Sequence, residues 1–173
     1  MSWTAPEIAR AEAPRLRDER SCLHGWLRFH RETLLMKCAG LTHEQLVRRS
    51  AEPSELSLLG LVRHMTDVER WWFRTNLRGE DVDGFFGPAD NITGDFDDLD
   101  SMPAEQVWDV YARECAAADA AADGVPLEQT FRSRSRGTEL DLRWLYLHMI
   151  EEYARHNGHA DIRRARIDGV VGD

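Results

Sequence analysis

The sequence predicts an all-α four-helix bundle with a long crossover connection. Four stretches of the 173 residues place apolar side chains at the spacing of an amphipathic helix. Glycine, proline or a capping residue bounds these stretches, and no series of segments alternates apolar and polar side chains as strands do. A chain of this length can bury the core of one domain, so we expect a single domain over residues 1–173, with an N-terminal arm at residues 1–14.

The first half of the chain predicts two long helices with a short one between them. The first long helix is predicted over residues 14–39, because its apolar residues form one broad stripe and Gly40 can end it. A capping-box pattern that opens at Thr42 predicts the short helix. The second long helix is predicted over residues 58–77, with Ser57 as its N-cap.

The second half of the chain predicts two more long helices. One begins at residues 102–103 and runs to about residue 123, with Ser101 as N-cap and Pro103 in the first turn. The last spans about residues 140–167 and ends near Gly169. Four antiparallel helices with short links and one or two longer connections would complete the fold.

Two connections are long enough to need an explanation of their own. Residues 79–102 are rich in glycine and aspartate, and favour equally a functional or crossover segment and a solvated acidic loop. Phe85 and Phe86 are candidates to anchor this segment over the mouth of the bundle. The other connection, 124–139, alternates serines with Arg132, Arg134 and Arg136. We interpret it as a solvated turn in preference to an extended segment that holds an anion.

The composition excludes several classes of partner. The formal net charge is −9, which argues against nucleic acid and anionic membranes. No run of apolar residues is long enough to span a bilayer, and the N-terminus lacks a signal-peptide core. The three scattered cysteines support neither a disulfide framework nor a thiolate zinc site. We therefore expect a cytoplasmic protein that binds neither nucleic acid nor a membrane.

The last predicted helix concentrates groups that can bind a metal. His148, Glu152, His156 and His159 share the face that must pack into the core. Glu152 and His156 are one turn apart, so both side chains can reach one divalent metal. The alternative is a set of polar residues at the edge of the core that bond to each other, to water or to backbone. The sequence favours these two accounts about equally.

The second long helix supplies a third candidate ligand. His64 lies on the apolar stripe of that helix, where a lone histidine is more often a core residue with a hydrogen-bond partner. Together with Glu152 and His156 it gives two histidines and one carboxylate, a set that leaves positions open for water or substrate. His159 is an alternative ligand, and both it and His148 are candidates to orient the ligands.

Two segments carry a resemblance to a known group of proteins. The segment LLGLVRHMTDVERWWF at 58–73 and the segment HMIEEYARHNGHADIRRARIDG at 148–169 resemble the DinB-like superfamily of four-helix bundles, in its actinobacterial branch. The resemblance implies a divalent metal, zinc or nickel, held by His64, Glu152 and His156. Many relatives carry histidine at the position of Glu152, and a carboxylate there is similar to the mycothiol-dependent maleylpyruvate isomerase.

The resemblance also implies a function. Characterised relatives are metal enzymes that use low-molecular-weight thiols such as mycothiol, so we expect a thiol S-transferase or isomerase acting on a small electrophile. Arg155, Arg163 or the arginines at 132–136 would hold the polar end of the thiol, and a homodimer is expected.

Three alternatives remain open. A metal-dependent hydrolase would use the same ligands, with Glu151, Asp67 or His159 as base. A non-catalytic bundle would bind a small molecule or a partner helix. A metal-stabilised but inactive protein would have a lower melting temperature after metal removal, and it would show no turnover with or without the metal.

Overall fold

The chain is mostly helical, as the sequence predicts. The computed structural model describes residues 3–87, 91, 93–135 and 137–172. Every helix in these ranges is too short or too polar to cross a lipid bilayer. The α-helices are α1 (Glu19–Cys38), α2 (His43–Leu46), α3 (Leu58–Glu69), α4 (Ala104–Ala122) and α5 (Leu142–Asp168). A π-helical segment, Arg70–Leu77, continues α3, and a 3-10 turn spans Leu99–Ser101.

Side-chain caps fix where the first three helices begin. Asp18 accepts a hydrogen bond from the backbone N–H of Ser21, so α1 starts at Glu19 and not at the predicted Pro14. The capping box at Thr42 and the Ser57 cap are both confirmed. Each cap satisfies backbone N–H groups that the first turn of a helix would otherwise leave unpaired.

The start of α4 differs from the prediction, and the end of α5 agrees with it. Ser101 does not cap α4, because its hydroxyl donates to the carbonyl of Asp98 at 2.7 Å and Pro103 takes the N-cap position without a side-chain bond. Asp141 caps α5 by accepting from the backbone N–H of Trp144 at 2.7 Å. Gly169 ends α5 with a φ of 80°, a conformation that glycine adopts without strain.

A small hairpin was not predicted. Strand β1 (Thr130–Arg132) pairs antiparallel with β2 (Glu139–Asp141), and Phe131 lies opposite Leu140. Three-residue strands are too short to give a pattern of alternation. The sequence favoured a solvated turn over an extended segment for this connection, and the strand corrects that interpretation at Thr130–Arg132. The predicted start of the last helix near Leu140 is therefore wrong by two residues, because that stretch belongs to β2.

The hairpin region also bears on the arginine-rich connection. Arg134 donates to the carbonyl of Gly79 at 3.0 Å and lies 3.4 Å from a carboxylate oxygen of Asp81. Arg136 lies outside the described residues. Arg134 thus joins the two long connections to each other, and binding of an anion by this segment stays a prediction.

The apolar core lies between the long helices. Helix α1 packs mainly against α5, and α3 packs against α4. The backbone N–H of Gly40 donates to the carbonyl of Ala5 at 2.8 Å, and the N–H of Ala5 donates to the carbonyl of Leu41 at 2.9 Å. These bonds hold part of the N-terminal arm against the end of α1. Residues at the centre of this core are fully buried, among them Leu27, Leu34, Leu61, Met65, Leu145, Met149 and Tyr153.

A charged network crosses this core and was not predicted. Arg31 donates two hydrogen bonds of 2.7 Å to the two carboxylate oxygens of Glu69, and a third of 2.7 Å to Asp119. Tyr153 donates to Glu69 at 2.8 Å, and its hydroxyl lies 3.0 Å from that of Tyr111. Burial raises the pKa of both tyrosines well above the ordinary value, so both hydroxyls keep their protons. The network connects α1, α3, α4 and α5.

Candidate metal centre

Three of the predicted ligands meet between α3 and α5. His64 comes from α3, and Glu152 and His156 come from successive turns of α5. One ligand atom from each of the three lies within 4.8 Å of the others. The imidazole rings of His64 and His156 are 4.7 Å apart between centroids, and Nε2 of His156 lies 3.5 Å from Oε2 of Glu152. The packing of α3 against α5 therefore brings His64 together with two residues that lie 88 or more positions later in the sequence.

The chemistry of these groups fits a divalent metal. A separation of 3.5 Å between Nε2 of His156 and Oε2 of Glu152 is long for a hydrogen bond. Two donors that bind one zinc-like ion tetrahedrally at about 2.1 Å lie roughly 3.4 Å apart. A set of two imidazoles and one carboxylate is also common among the sites that bind zinc and other first-row metals. His64, Glu152 and His156 thus match both the spacing and the ligand types of such a site.

The protonation of His156 also suits a ligand. Burial, together with the nearby His64, His159 and Arg155, lowers its pKa to about 3. The imidazole is therefore neutral at neutral pH and keeps a lone pair that a metal can accept.

One residue of this region, Asp95, was not predicted. Its Oδ2 lies 2.6 Å from Nδ1 of His64, and the residue is 5% exposed. Phe96, next in the chain, places its ring 5.5 Å from the His64 ring. Asp95 belongs to the acidic connection at 79–102, and nothing in the sequence distinguishes it from the other aspartates there.

Asp67 anchors this connection on α3. Its carboxylate accepts hydrogen bonds from the backbone N–H groups of Phe85, Phe86 and Gly87 at 2.6, 2.8 and 2.7 Å. Burial raises the pKa of Asp67, although these three N–H groups act in the opposite direction. Phe86 is buried and Phe85 is exposed, so one of the two predicted aromatic anchors packs into the protein. Asp67, a candidate base in the sequence, holds the connection in place.

Arg63 anchors the other end of the same connection. Its guanidinium donates to the carbonyls of Gly94, Asp97 and Asp98 at 2.8, 3.1 and 3.3 Å. It also lies 4.6 Å from the centre of the Phe86 ring, within range of a cation–π contact. Arg63 and Asp67 thus hold the connection on both sides of His64.

A cavity of about 420 Å³ opens beside His64. Its wall combines three apolar side chains with six polar or charged ones. The described residues that line it are His64, Asp67, Val68, Arg70, Trp71, Thr75, Val82, Asp83, Gly84, Gly87 and Asp95. The π-helical segment that follows α3 contributes Arg70, Trp71 and Thr75 to this wall, and irregular helix of this type often occurs at functional sites.

His148 lies beside Glu152 in an aromatic setting. Its ring stacks on Trp144 with centroids 4.9 Å apart and meets the edge of Trp72 at 4.6 Å. Nε2 of His148 lies 4.0 Å from Glu152, and Nδ1 lies 3.7 Å from Glu151. His148, Glu151 and Glu152 form a second group whose ligand atoms lie within 4.8 Å of one another. His148, which the sequence offered as a residue that could orient the ligands, therefore lies next to Glu152.

His159 is next to His156. Its Nδ1 lies 3.4 Å from Nδ1 of His156. Among the described residues, the groups whose ligand atoms converge within 4.8 Å do not include His159. Metal binding by His159 stays a prediction. Its position suits contact with His156.

The two arginines expected to hold a thiol cofactor differ in their surroundings. Arg155 forms a close ion pair with Glu151 and lies 3.6 Å from Oε1 of Glu152, so it borders the cluster. Arg163 is buried and donates to the carbonyl of Ala51 at 3.1 Å and to the hydroxyl of Ser54. Arg163 thus ties α5 to the turn before α3, and binding of a thiol by either arginine stays a prediction.

Comparison with known proteins identifies the family. The family model described as mycothiol-S-transferase matches residues 22–169, which include every candidate ligand. The chain belongs to the mycothiol-S-transferase family. This confirms the resemblance to the DinB-like proteins that was drawn from the segments at 58–73 and 148–169. No curated protein and no solved structure significantly matches this member of the mycothiol-S-transferase family.

Proposed function

We propose that this protein is a divalent-metal-dependent S-transferase that joins a thiol of the mycothiol type to a small electrophile, or an isomerase that uses the same thiol. The observation that carries the proposal is the convergence of His64, Glu152 and His156, of which His64 also lines a cavity of about 420 Å³. Membership of the mycothiol-S-transferase family supports the choice of thiol. The helices that supply these residues suit the four-helix bundle with a crossover connection proposed for this family member.

His64, Glu152 and His156 would hold the metal, with zinc or nickel as the ion. Three protein ligands leave a coordination position for a small molecule, and a bound metal supplies a Lewis acid that lowers the pKa of a thiol. Glu152 is the one charged ligand of the set, so it offsets part of the charge of the ion. Arg155, beside Glu152, is placed to meet a polar group of the cofactor, and Arg163 is the second candidate for that contact.

The transfer itself is a substitution at carbon. The thiol loses its proton to water, its sulfur forms the new bond to the electrophilic carbon, and the leaving group departs with the bonding electron pair. Val68, Trp71 and Val82 give the cavity an apolar wall that would bind the electrophile and exclude water. We propose that the enzyme acts in the cytoplasm as a homodimer.

An assay of thiol conjugation tests this function. Purified protein loaded with zinc or nickel is mixed with mycothiol and a small alkyl or aryl halide, and loss of free thiol is followed over time. His156→Ala is expected to reduce the enzymatic rate by about 100-fold or more, because metal catalysis supplies several kcal/mol of transition-state stabilisation.

The matched control replaces a histidine outside the cluster. His24 lies on α1 and pairs with Asp119 at 3.5 Å, so His24→Ala removes an imidazole and leaves the candidate ligands intact. Its rate should stay within about twofold of wild type. Full activity in His156→Ala, or activity that survives complete removal of metal by a chelator, would reject the proposed function.

A further inference from the structure

One carboxylate of the acidic connection is bonded to a candidate ligand. Oδ2 of Asp95 lies 2.6 Å from Nδ1 of His64, at hydrogen-bond distance. A histidine that binds a metal through one ring nitrogen commonly donates its other N–H to a carboxylate or carbonyl. With Nδ1 engaged by Asp95, Nε2 is the nitrogen left to face Glu152 and His156.

The position of Asp95 is set by contacts that do not involve His64. The hydrogen bonds from Arg63 to Gly94 and Asp97 fix the backbone on either side of Asp95. Phe96 packs over Gly60, where a Cβ atom would come within 2.6 Å of the Phe96 ring. A side chain at position 60 would therefore push this part of the connection off α3. Together these contacts fix the position of Asp95 beside α3.

The hydrogen bonding of the Asp95 side chain is directed at His64. Among the described residues its hydrogen-bond partner is His64, and Oδ1 is buried without one. A buried carboxylate with an unpaired oxygen costs free energy, so a residue selected for packing alone would be apolar. This cost points to a role that depends on the bond to His64.

We propose that Asp95 is a positioning residue that holds the His64 ring with its proton on Nδ1 and its Nε2 lone pair directed at Glu152 and His156. The carboxylate also makes the imidazole a stronger donor, since a negative charge at one ring nitrogen raises the electron density at the other. The proposal rests on the proposed function in one respect, because the expected ligand of Nε2 is the metal of that function.

Metal affinity provides the first test. Zinc and nickel affinities are measured by competition with a chelating dye for wild type, Asp95→Ala, Asp95→Asn and Asp97→Asn. Loss of a residue that orients a metal-binding histidine typically weakens affinity about 10- to 100-fold, which is expected for Asp95→Ala. Asp95→Asn should recover part of the loss, because its amide oxygen can still accept from Nδ1. A merely structural role would not give this order.

Asp97→Asn is the matched control. Asp97 is two residues along the same connection, its side chain accepts from the hydroxyl of Thr93 at 3.2 Å, and its backbone carbonyl keeps the bond to Arg63. The variant removes the same charge without touching His64, so its affinity should stay within about twofold of wild type. Wild-type affinity in Asp95→Ala, or an equal loss in Asp97→Asn, would overturn the proposal.

A readout without metal separates this proposal from the proposed function. Nitrogen-15 NMR of the histidine rings in metal-free protein reports which ring nitrogen carries the proton. His64 should be protonated at Nδ1 in wild type and should shift towards protonation at Nε2 in Asp95→Ala. If wild type binds no metal, the proposed function fails, and this measurement still decides on Asp95. A ring protonated at Nε2 in wild type would overturn the positioning role even if metal binds.

Discussion

Glu69→Ala is expected to lower the free energy of unfolding by about 3–5 kcal/mol, the usual cost of leaving a buried ion without its partner. Glu69 is fully buried and accepts both hydrogen bonds of the Arg31 fork, together with that of Tyr153. Removing the carboxylate takes away two of the three carboxylate hydrogen bonds of the buried Arg31, which keeps the one to Asp119, and the acceptor of the Tyr153 hydroxyl. In a domain of this size the loss corresponds to a fall in Tm of roughly 6–20 °C, measurable by calorimetry or circular dichroism.

Two further variants make the stability test specific. Arg28→Ala breaks an ion pair with Glu32 on the surface of α1, and should cost about 1 kcal/mol or less. The double variant Arg31→Met, Glu69→Leu removes both buried charges and should be more stable than Glu69→Ala alone. A small effect of Glu69→Ala, similar to that of Arg28→Ala, would show that the buried pair does not hold the helices together.

Glu152→Gln is expected to reduce both metal affinity and the rate of thiol conjugation by about 100-fold or more. Glutamine keeps the size of the side chain, but it replaces the one anionic ligand with a weak neutral donor, and divalent ions prefer carboxylates over amides at such positions. Affinity is measured by dye competition, and the rate is measured with mycothiol and an electrophile in excess metal.

Glu151→Gln is the matched control for this variant. It removes the same charge one residue earlier, where Glu151 pairs with Arg155. The S-transferase proposal predicts a rate near that of wild type for this control. A metal-dependent hydrolytic activity that is lost in Glu151→Gln would instead favour the hydrolase alternative, in which Glu151 is a candidate base. Equal effects of the two variants on metal affinity would contradict Glu152 as a ligand.

Local signals predicted the helical elements well. The caps at Thr42 and Ser57 and the stop at Gly169 depend on short-range hydrogen bonds and on backbone conformation, which a few neighbouring residues determine. The meeting of His64 with Glu152 and His156 was also predictable, because helical periodicity puts each of them on a face directed at the core. Family resemblance then selected these three residues among the histidines and glutamates of the chain.

Contacts between distant segments were not predictable from a single sequence. Arg31 and Glu69 are 38 residues apart, and each would look like a solvated charge at the edge of an amphipathic stripe. Asp95 lies in an irregular segment, so no periodicity indicates which helix it meets. The three-residue strands of the hairpin place Glu139 opposite Arg132, and β2 ends at Asp141, the residue that caps α5. In each case tertiary packing decides the partner.

The central claim is that His64, Glu152 and His156 bind a divalent metal. The most direct test is elemental analysis of protein purified without a metal-binding tag, for wild type and for the His64→Ala, His156→Ala double variant, each after incubation with zinc or nickel. We predict about one metal ion per chain in wild type and none in the double variant, because the variant keeps one of three ligands. Metal-free wild type, or equal metal in both proteins, would contradict the account.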